Sequence, residues 1–148
     1  MKKIFIACPM TKYIEKDRFT DDNFKEFMEG LYRLCKEYTD DVFMALEREQ
    51  YGKKQMSDIC TQLDYREMEM ADIVVAIPED SKGTAVELGW ASVMKKSIIL
   101  VLDRNQRYTP LITGIGDITV TIPIEYDRYL NDEVLNRVSD ALMQLKKV

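Results

Sequence analysis

Within Asp80-Ser81-Lys82-Gly83-Thr84-Ala85-Val86-Glu87 two hydroxyls, a glycine and two carboxylates fall close together, and Glu87 is the side chain most able to do chemistry. Two readings fit it. Thr84-x-x-Glu87 has the spacing of a capping box, in which the threonine caps a helix and the glutamate reaches back to a backbone N–H. In the other, Glu87 is a reactive carboxylate in the first turn of a helix that follows a central strand. Gly83 then lets a ligand approach the backbone, and Gly89 lets the helix pack closely on the sheet. Asp64, on the preceding helix, either reaches the same edge or is an exposed helical aspartate. Ser81 and Thr84 either donate to a phosphate or serve the turn. Asp72 reads as the residue opening a strand, and Cys8 as a small buried side chain rather than a nucleophile.

The sequence has no histidine. Ser-His-Asp and Cys-His nucleophile pairs and His-rich metal sites are therefore excluded, and any acid, base or nucleophile acting near neutral pH comes from carboxylates, tyrosines, lysines or cysteines. The three cysteines, Cys8, Cys35 and Cys60, are odd in number and lack CxxC spacing, so neither a disulfide framework nor a zinc site is expected. Neither a P-loop nor a dinucleotide glycine fingerprint is present.

The elements that must position these groups follow from hydrophobic patterning. Lys3 to Cys8 (KIFIAC) reads as a strand covered on both faces and stopped by Pro9. Phe24, Phe27, Met28, Leu31, Leu34 and Cys35 fall at helical spacing behind the capping candidates Asp21 and Asp22. Asp41 to Leu46 reads as a second strand, EREQYGKKQ as a charged loop, and Ser57 to Ala71 as a helix with Ile59, Leu63, Met68 and Met70 on its apolar stripe. Ile73 to Pro78 (IVVAIP) is the strongest strand signal and belongs at the sheet centre. EDSKGT follows as a turn, Ala85 to Lys95 as a helix and Ser97 to Leu102 as a strand. Residues 103–117 read as a loop, Ile118 to Ile122 as a last strand, and Val134, Leu135, Val138, Ala141, Leu142 and Leu145 as one face of a closing helix.

Alternating strands and helices predict an α/β fold: a single domain over 1–148 with a doubly wound five-stranded parallel sheet, flavodoxin/Rossmann-like, and helices on both faces. The length suits one core, and 46% apolar with 32% charged residues is a soluble globular composition. A net charge of −5 without a basic face argues against nucleic acid or an anionic membrane as partner. No apolar run approaches a bilayer span, and the opening MKKIFIACPM does not read as a signal peptide; a cytoplasmic protein is expected. In such a sheet ligands bind beyond the carboxyl ends of the strands, where strand order reverses. That rule selects Cys8-Pro9-Met10-Thr11, Leu46-Glu47-Arg48 and Pro78 to Glu87, the last leading into a helix N-terminus that favours an anion.

The run ADIVVAIPEDSKGTAVELGWAS (71–92), with Leu63-Asp64 upstream and YTPLITGI (108–115) downstream, resembles the nucleoside 2-deoxyribosyltransferase superfamily, and within it the nucleoside 5′-monophosphate N-glycosidases acting on CMP or hydroxymethyl-CMP. FIACP (5–9) and ALEREQYG (45–52) extend the similarity to about residue 116. The resemblance implies Glu87 as nucleophile in the G-x-x-x-E-[LI]-G motif and Asp64 as its catalytic auxiliary. It implies substrate contacts from Phe5, Cys8, Pro9, Met10, Arg48, Ser81 and Gly83. Ser81 stands where deoxyribosyltransferases typically carry an aspartate that contacts the sugar 5′-hydroxyl; a hydroxyl there removes repulsion against a 5′-phosphate and offers a donor. Thr109 falls where a family member lends a hydroxyl to the phosphate of a neighbouring subunit, implying a homodimer with shared active sites. Cys8-Pro9-Met10-Thr11 departs from the glycine-containing turn, followed by Phe or Arg, that often ends the first strand in the family, and Lys12 is an alternative cation. Residues 11–22 are expected to cover the substrate. No metal or organic cofactor is implied. The expected reaction is hydrolysis of a pyrimidine nucleotide to base and sugar phosphate, the alternatives being base exchange between deoxynucleosides and a non-catalytic nucleotide-binding module.

Overall fold

The computed structural model describes residues 2–122 and 132–146. Five strands form one parallel sheet: β1 (Ile4–Ala7), β4 (Val42–Met44), β5 (Ile73–Ala76), β6 (Ser97–Asp103) and β7 (Ile118–Ile122), in the order β4-β1-β5-β6-β7. β1 and β5 are buried along their whole length, as continuous apolar runs covered on both faces must be. They pair from Ile4 with Ile73 to Ala7 with Ala76. Strand order reverses between these two, so a crevice opens at their carboxyl ends.

Two cores lie on opposite faces of the sheet. Ile4 and Ile6 of β1 pack with α1 (Asp22–Tyr38) and α6 (Asp132–Lys146), while Phe5 and Ala7 face α3 (Cys60–Met70) and α4 (Lys82–Val93). The alternation is the period-2 geometry of a strand. In α1 the predicted stripe is inside, with Phe24, Phe27, Met28, Leu31 and Cys35 buried. Asp21 caps this helix by accepting the Phe24 N–H at 2.9 Å, the role that Ser, Thr, Asp and Asn take at helix starts.

Several expectations need correction. The second strand ends at Met44, and Ala45–Arg48 turn into a short helix, α2. Gln50, Tyr51 and Gly52 then follow with φ of +51°, +55° and +98°, a left-handed run that only the glycine adopts without strain. α3 begins at Cys60 rather than Ser57, leaving Ile59 exposed, and Met70 also points outward. The segment 103–117 contains a one-turn helix, α5 (Pro110–Thr113). Residues 11–22 include a small antiparallel hairpin of β2 (Ile14–Glu15) and β3 (Arg18–Phe19). Tyr13 and Phe19 anchor it, their rings stacking with Phe24 at centroid distances of 4.3 and 6.1 Å. Gly89 does not serve close packing on the sheet, because a Cβ built there meets nothing within 4 Å.

Candidate active site

α4 starts one turn earlier than its hydrophobic pattern suggests. Ser81 is the cap, its Oγ accepting the Thr84 N–H at 3.2 Å, so the Thr84-x-x-Glu87 capping box does not form. Glu87 lies in the second turn rather than the first and is free of that role. Pro78 ends the run out of β5, and Glu79 takes a left-handed φ of +38°, which swings the chain into the helix. Glu79 is itself buried, accepting Tyr13 Oη at 2.8 Å and pairing with Lys12 Nζ at 2.6 Å. No sequence pattern marked Glu79, because this contact joins two loops 66 residues apart.

A cavity of about 560 Å³ occupies the crevice between β1 and β5, within the usual range for small-ligand sites. Cys8, Pro9 and Met10 line it from the end of β1, followed by Thr11 and Lys12; Asp64 enters from α3, and Ser81, Gly83, Thr84 and Glu87 from the start of α4. Trp90 also lines it, three residues after Glu87 on the same face of α4, a spacing by which the sequence signals it. A Cβ on Gly83 meets no protein atom within 4 Å, so this glycine leaves space open for a ligand. Thr84 is 1% exposed and its Oγ1 has no hydrogen-bond partner among the described residues, an unmet hydroxyl in the cavity wall.

Three predicted contacts lie elsewhere. Phe5 is wholly buried against Phe43, centroids 4.9 Å apart, on the sheet face packed by α3 and α4. Its place in the strand alternation keeps it out of the cavity, whereas its neighbour Ile6 reaches it. Thr109 is exposed and caps α5, its Oγ1 accepting the Leu111 N–H at 3.3 Å; it does not line this chain's cavity. Arg48 stands behind the wall. Its Nη1 donates to Asp64 Oδ1 at 2.6 Å and its Nε to Glu49 Oε1 at 2.8 Å. Asp64 is thus a half-buried partner of a guanidinium and not an exposed helical aspartate. Asp72 accepts the Lys3 N–H at 2.9 Å and stays structural.

The carboxyls differ in environment. Burial first, and then the negative charge of Asp64, push Glu87 up from its ordinary 4.5 to about 8, against the pull of Arg48. Burial raises Asp64 as well, opposed by the Arg48 hydrogen bond and charge and reinforced by Glu67. Burial, aided by Glu87 and Glu79, holds the Cys8 thiol well above its ordinary range, so Cys8 stays a neutral wall residue. Among the described residues no group of three or more acidic or cysteine side chains is arranged to hold a metal ion, and no helix is long and apolar enough to cross a membrane.

A parallel sheet in this order, with two carboxyls and a helix N-terminus lining a cavity at the point of reversal, defines an α/β protein of the doubly wound class, in which ligand sites lie beyond the strand ends. The chain belongs to the nucleoside 2-deoxyribosyltransferase family, which it matches over residues 13–142. Among solved structures it is similar to the CMP N-glycosidase BcmB of Clostridium botulinum, with 26% identity, a TM-score of 0.64, and 95% of this chain and 99% of that chain covered. BlsM is similar at 27% identity and a TM-score of 0.64, over 95% of this chain and 93% of its own. The 2-deoxyribosyltransferase of Bacillus psychrosaccharolyticus shares the fold at 21% identity and a TM-score of 0.60, over 79% of this chain and 84% of that one. No curated protein sequence matches significantly.

Proposed function

We propose that the protein hydrolyses the N-glycosidic bond of a pyrimidine nucleoside 5′-monophosphate, of the CMP or 5-hydroxymethyl-CMP type, to free base and (deoxy)ribose 5-phosphate. The observation that carries this reading is that Glu87 and Asp64 share one cavity with the open N-terminus of α4. Similarity to a CMP N-glycosidase over nearly the whole chain supports it.

The phosphate sits at the N-terminus of α4, where unpaired backbone N–H groups and the helix dipole attract an anion. The Ser81 hydroxyl donates to it, since its oxygen already accepts from Thr84 and its proton remains free. Phosphate binding energy then places C1′ against Glu87. The ionised Glu87 carboxylate attacks C1′ through an oxocarbenium-like transition state; the C1′–N bond breaks, and its electron pair leaves with the base, which takes up a proton. Water attacks C1′ of the glycosyl ester, releasing Glu87 as a carboxylate, the sugar phosphate, and a proton to solvent. Asp64, held by Arg48, orients Glu87 or the sugar hydroxyls. The assembly is a homodimer in which Thr109 of one copy reaches the phosphate of the other, consistent with its exposed position.

The test is chromatography of free base after incubation with CMP, dCMP, UMP, AMP, GMP and cytidine, with and without an added acceptor base. Release from one pyrimidine nucleotide in water alone is the expected result. Base exchange that requires the acceptor would instead make the protein a transferase. No release under either condition would leave a binding module.

A further inference from the structure

Glu49 is a buried acid that the reaction above does not use. It is 3% exposed, yet it directly follows an arginine in a segment that reads in sequence as a charged loop. Its Oε1 accepts Arg48 Nε at 2.8 Å and lies 2.7 Å from Arg48 Nη2 as an ion pair. Its Oε2 is buried with no hydrogen-bond partner among the described residues. Burying a carboxylate with one oxygen unmet is costly, and that cost is borne here for the sake of one guanidinium. With Nε hydrogen-bonded to Glu49 and Nη2 beside the same oxygen but without a hydrogen-bond partner among the described residues, Arg48 presents Nη1 to Asp64 at 2.6 Å. The Phe43 ring, 5.3 Å from the guanidinium carbon, packs against it. The backbone supports the same grip: the Glu49 carbonyl accepts both the Gly52 and Lys54 N–H groups, closing the left-handed turn over 50–52 and fixing where the Glu49 side chain starts.

We infer that Glu49 is a positioning residue, whose carboxylate clamps Arg48 so that the guanidinium aims one N–H at Asp64 and sets the orientation and charge of the Asp64 and Glu87 pair. This rests on the proposed role of that pair. Glu49 does not line the cavity and neither does Arg48, so Glu49 acts through Arg48 and not on the ligand. The groups acting on Glu87 are Asp64 from α3, with Glu67 behind it, Arg48 from α2 and the neutral Cys8 thiol from the end of β1, while Lys12, Asp80 and Lys82 line other parts of the same cavity. Arg48 is the cation that hydrogen-bonds to the Asp64 carboxyl and pulls on both carboxyls. Whatever holds Arg48 therefore governs how much positive charge the two carboxyls feel.

Glu49→Gln keeps the shape and one acceptor while removing the charge. Its kcat for base release should fall about tenfold, as loss of a charge-assisted hydrogen bond implies, with KM within about twofold, because no ligand contact changes. The lower inflection of kcat/KM against pH should move down, since a guanidinium no longer shared with Glu49 stabilises the ionised carboxyls. In an Arg48→Lys background, which breaks the clamp, Glu49→Gln should have no further effect on kcat, the signature of two residues acting as one unit. A Glu49→Gln protein with wild-type kcat and pH profile would overturn the inference, and so would equal effects in both backgrounds or a lowered Tm with unchanged turnover per folded molecule. If the wild-type protein releases no base at all, the proposed function fails. The inference is then read from NMR titration of the Glu87 carboxyl carbon, whose midpoint must drop in Glu49→Gln; an unmoved midpoint rejects it.

Discussion

Glu87 meets two opposed demands. In the proposed reaction its attack on C1′ needs a carboxylate, whereas burial and Asp64 favour the protonated acid up to about pH 8. If the ionised form is the nucleophile, kcat/KM rises with pH, close to tenfold per unit, and levels near pH 8; a profile that falls over this range would instead make Glu87 a proton donor. The same shift acts on stability. Below about pH 4.5 the group is protonated folded or unfolded; between 4.5 and 8 only the unfolded chain releases the proton, so stability declines through this window and levels above it. Glu87→Gln has no such titration. Its Tm advantage over wild type should be small at pH 4.5 and largest at pH 8 and above by thermal melts, while turnover drops at least about a thousandfold. In the sequence Glu87 was visible by its motif but ambiguous by its spacing. The capping-box reading ends with Ser81 as cap, which no local pattern records; the reactive reading is the one the proposed function takes up.

The start of α4 is the element on which a ligand would depend, and its glycine can be separated from one that serves packing. Gly83→Ala puts a methyl into open cavity space, so stability should change by less than about 1 kcal/mol while KM for the nucleotide rises roughly tenfold. Gly116→Ala brings a Cβ to 2.7 Å from Leu100 Cδ1, and overpacking should cost about 1–3 kcal/mol with KM per folded molecule unchanged. Urea melts and steady-state kinetics on both variants check the contrast. Strands and long helices were legible because one-sided burial writes its period into the chain, as in Phe24, Phe27, Met28 and Leu31. The short elements were not. α2 and α5 are single turns held by neighbours and a Thr109 cap, and Phe5 was assigned to the site because a motif reports proximity in sequence, whereas strand alternation decides which face a side chain takes.

For the whole molecule, strand alternation with helices was enough to anticipate the parallel sheet, but not its strand order: of the three strand ends selected, the cavity takes most of its lining from those after β1 and β5, which flank the reversal. The Glu49-Arg48-Asp64 chain was not legible, since it joins residues 16 apart across the crevice. The proposed homodimer with Thr109 at a shared site predicts twice the chain mass by light scattering at micromolar concentration, and a monomer with full activity would remove Thr109 from the site. The most direct measurement of the central claim is the rate of base release from CMP against cytidine by the wild-type protein and by Glu87→Gln. Release from the nucleotide alone, lost in the variant, is the expected result. Equal release from cytidine, or turnover that survives in Glu87→Gln, would contradict a phosphate-dependent N-glycosidase with Glu87 as nucleophile.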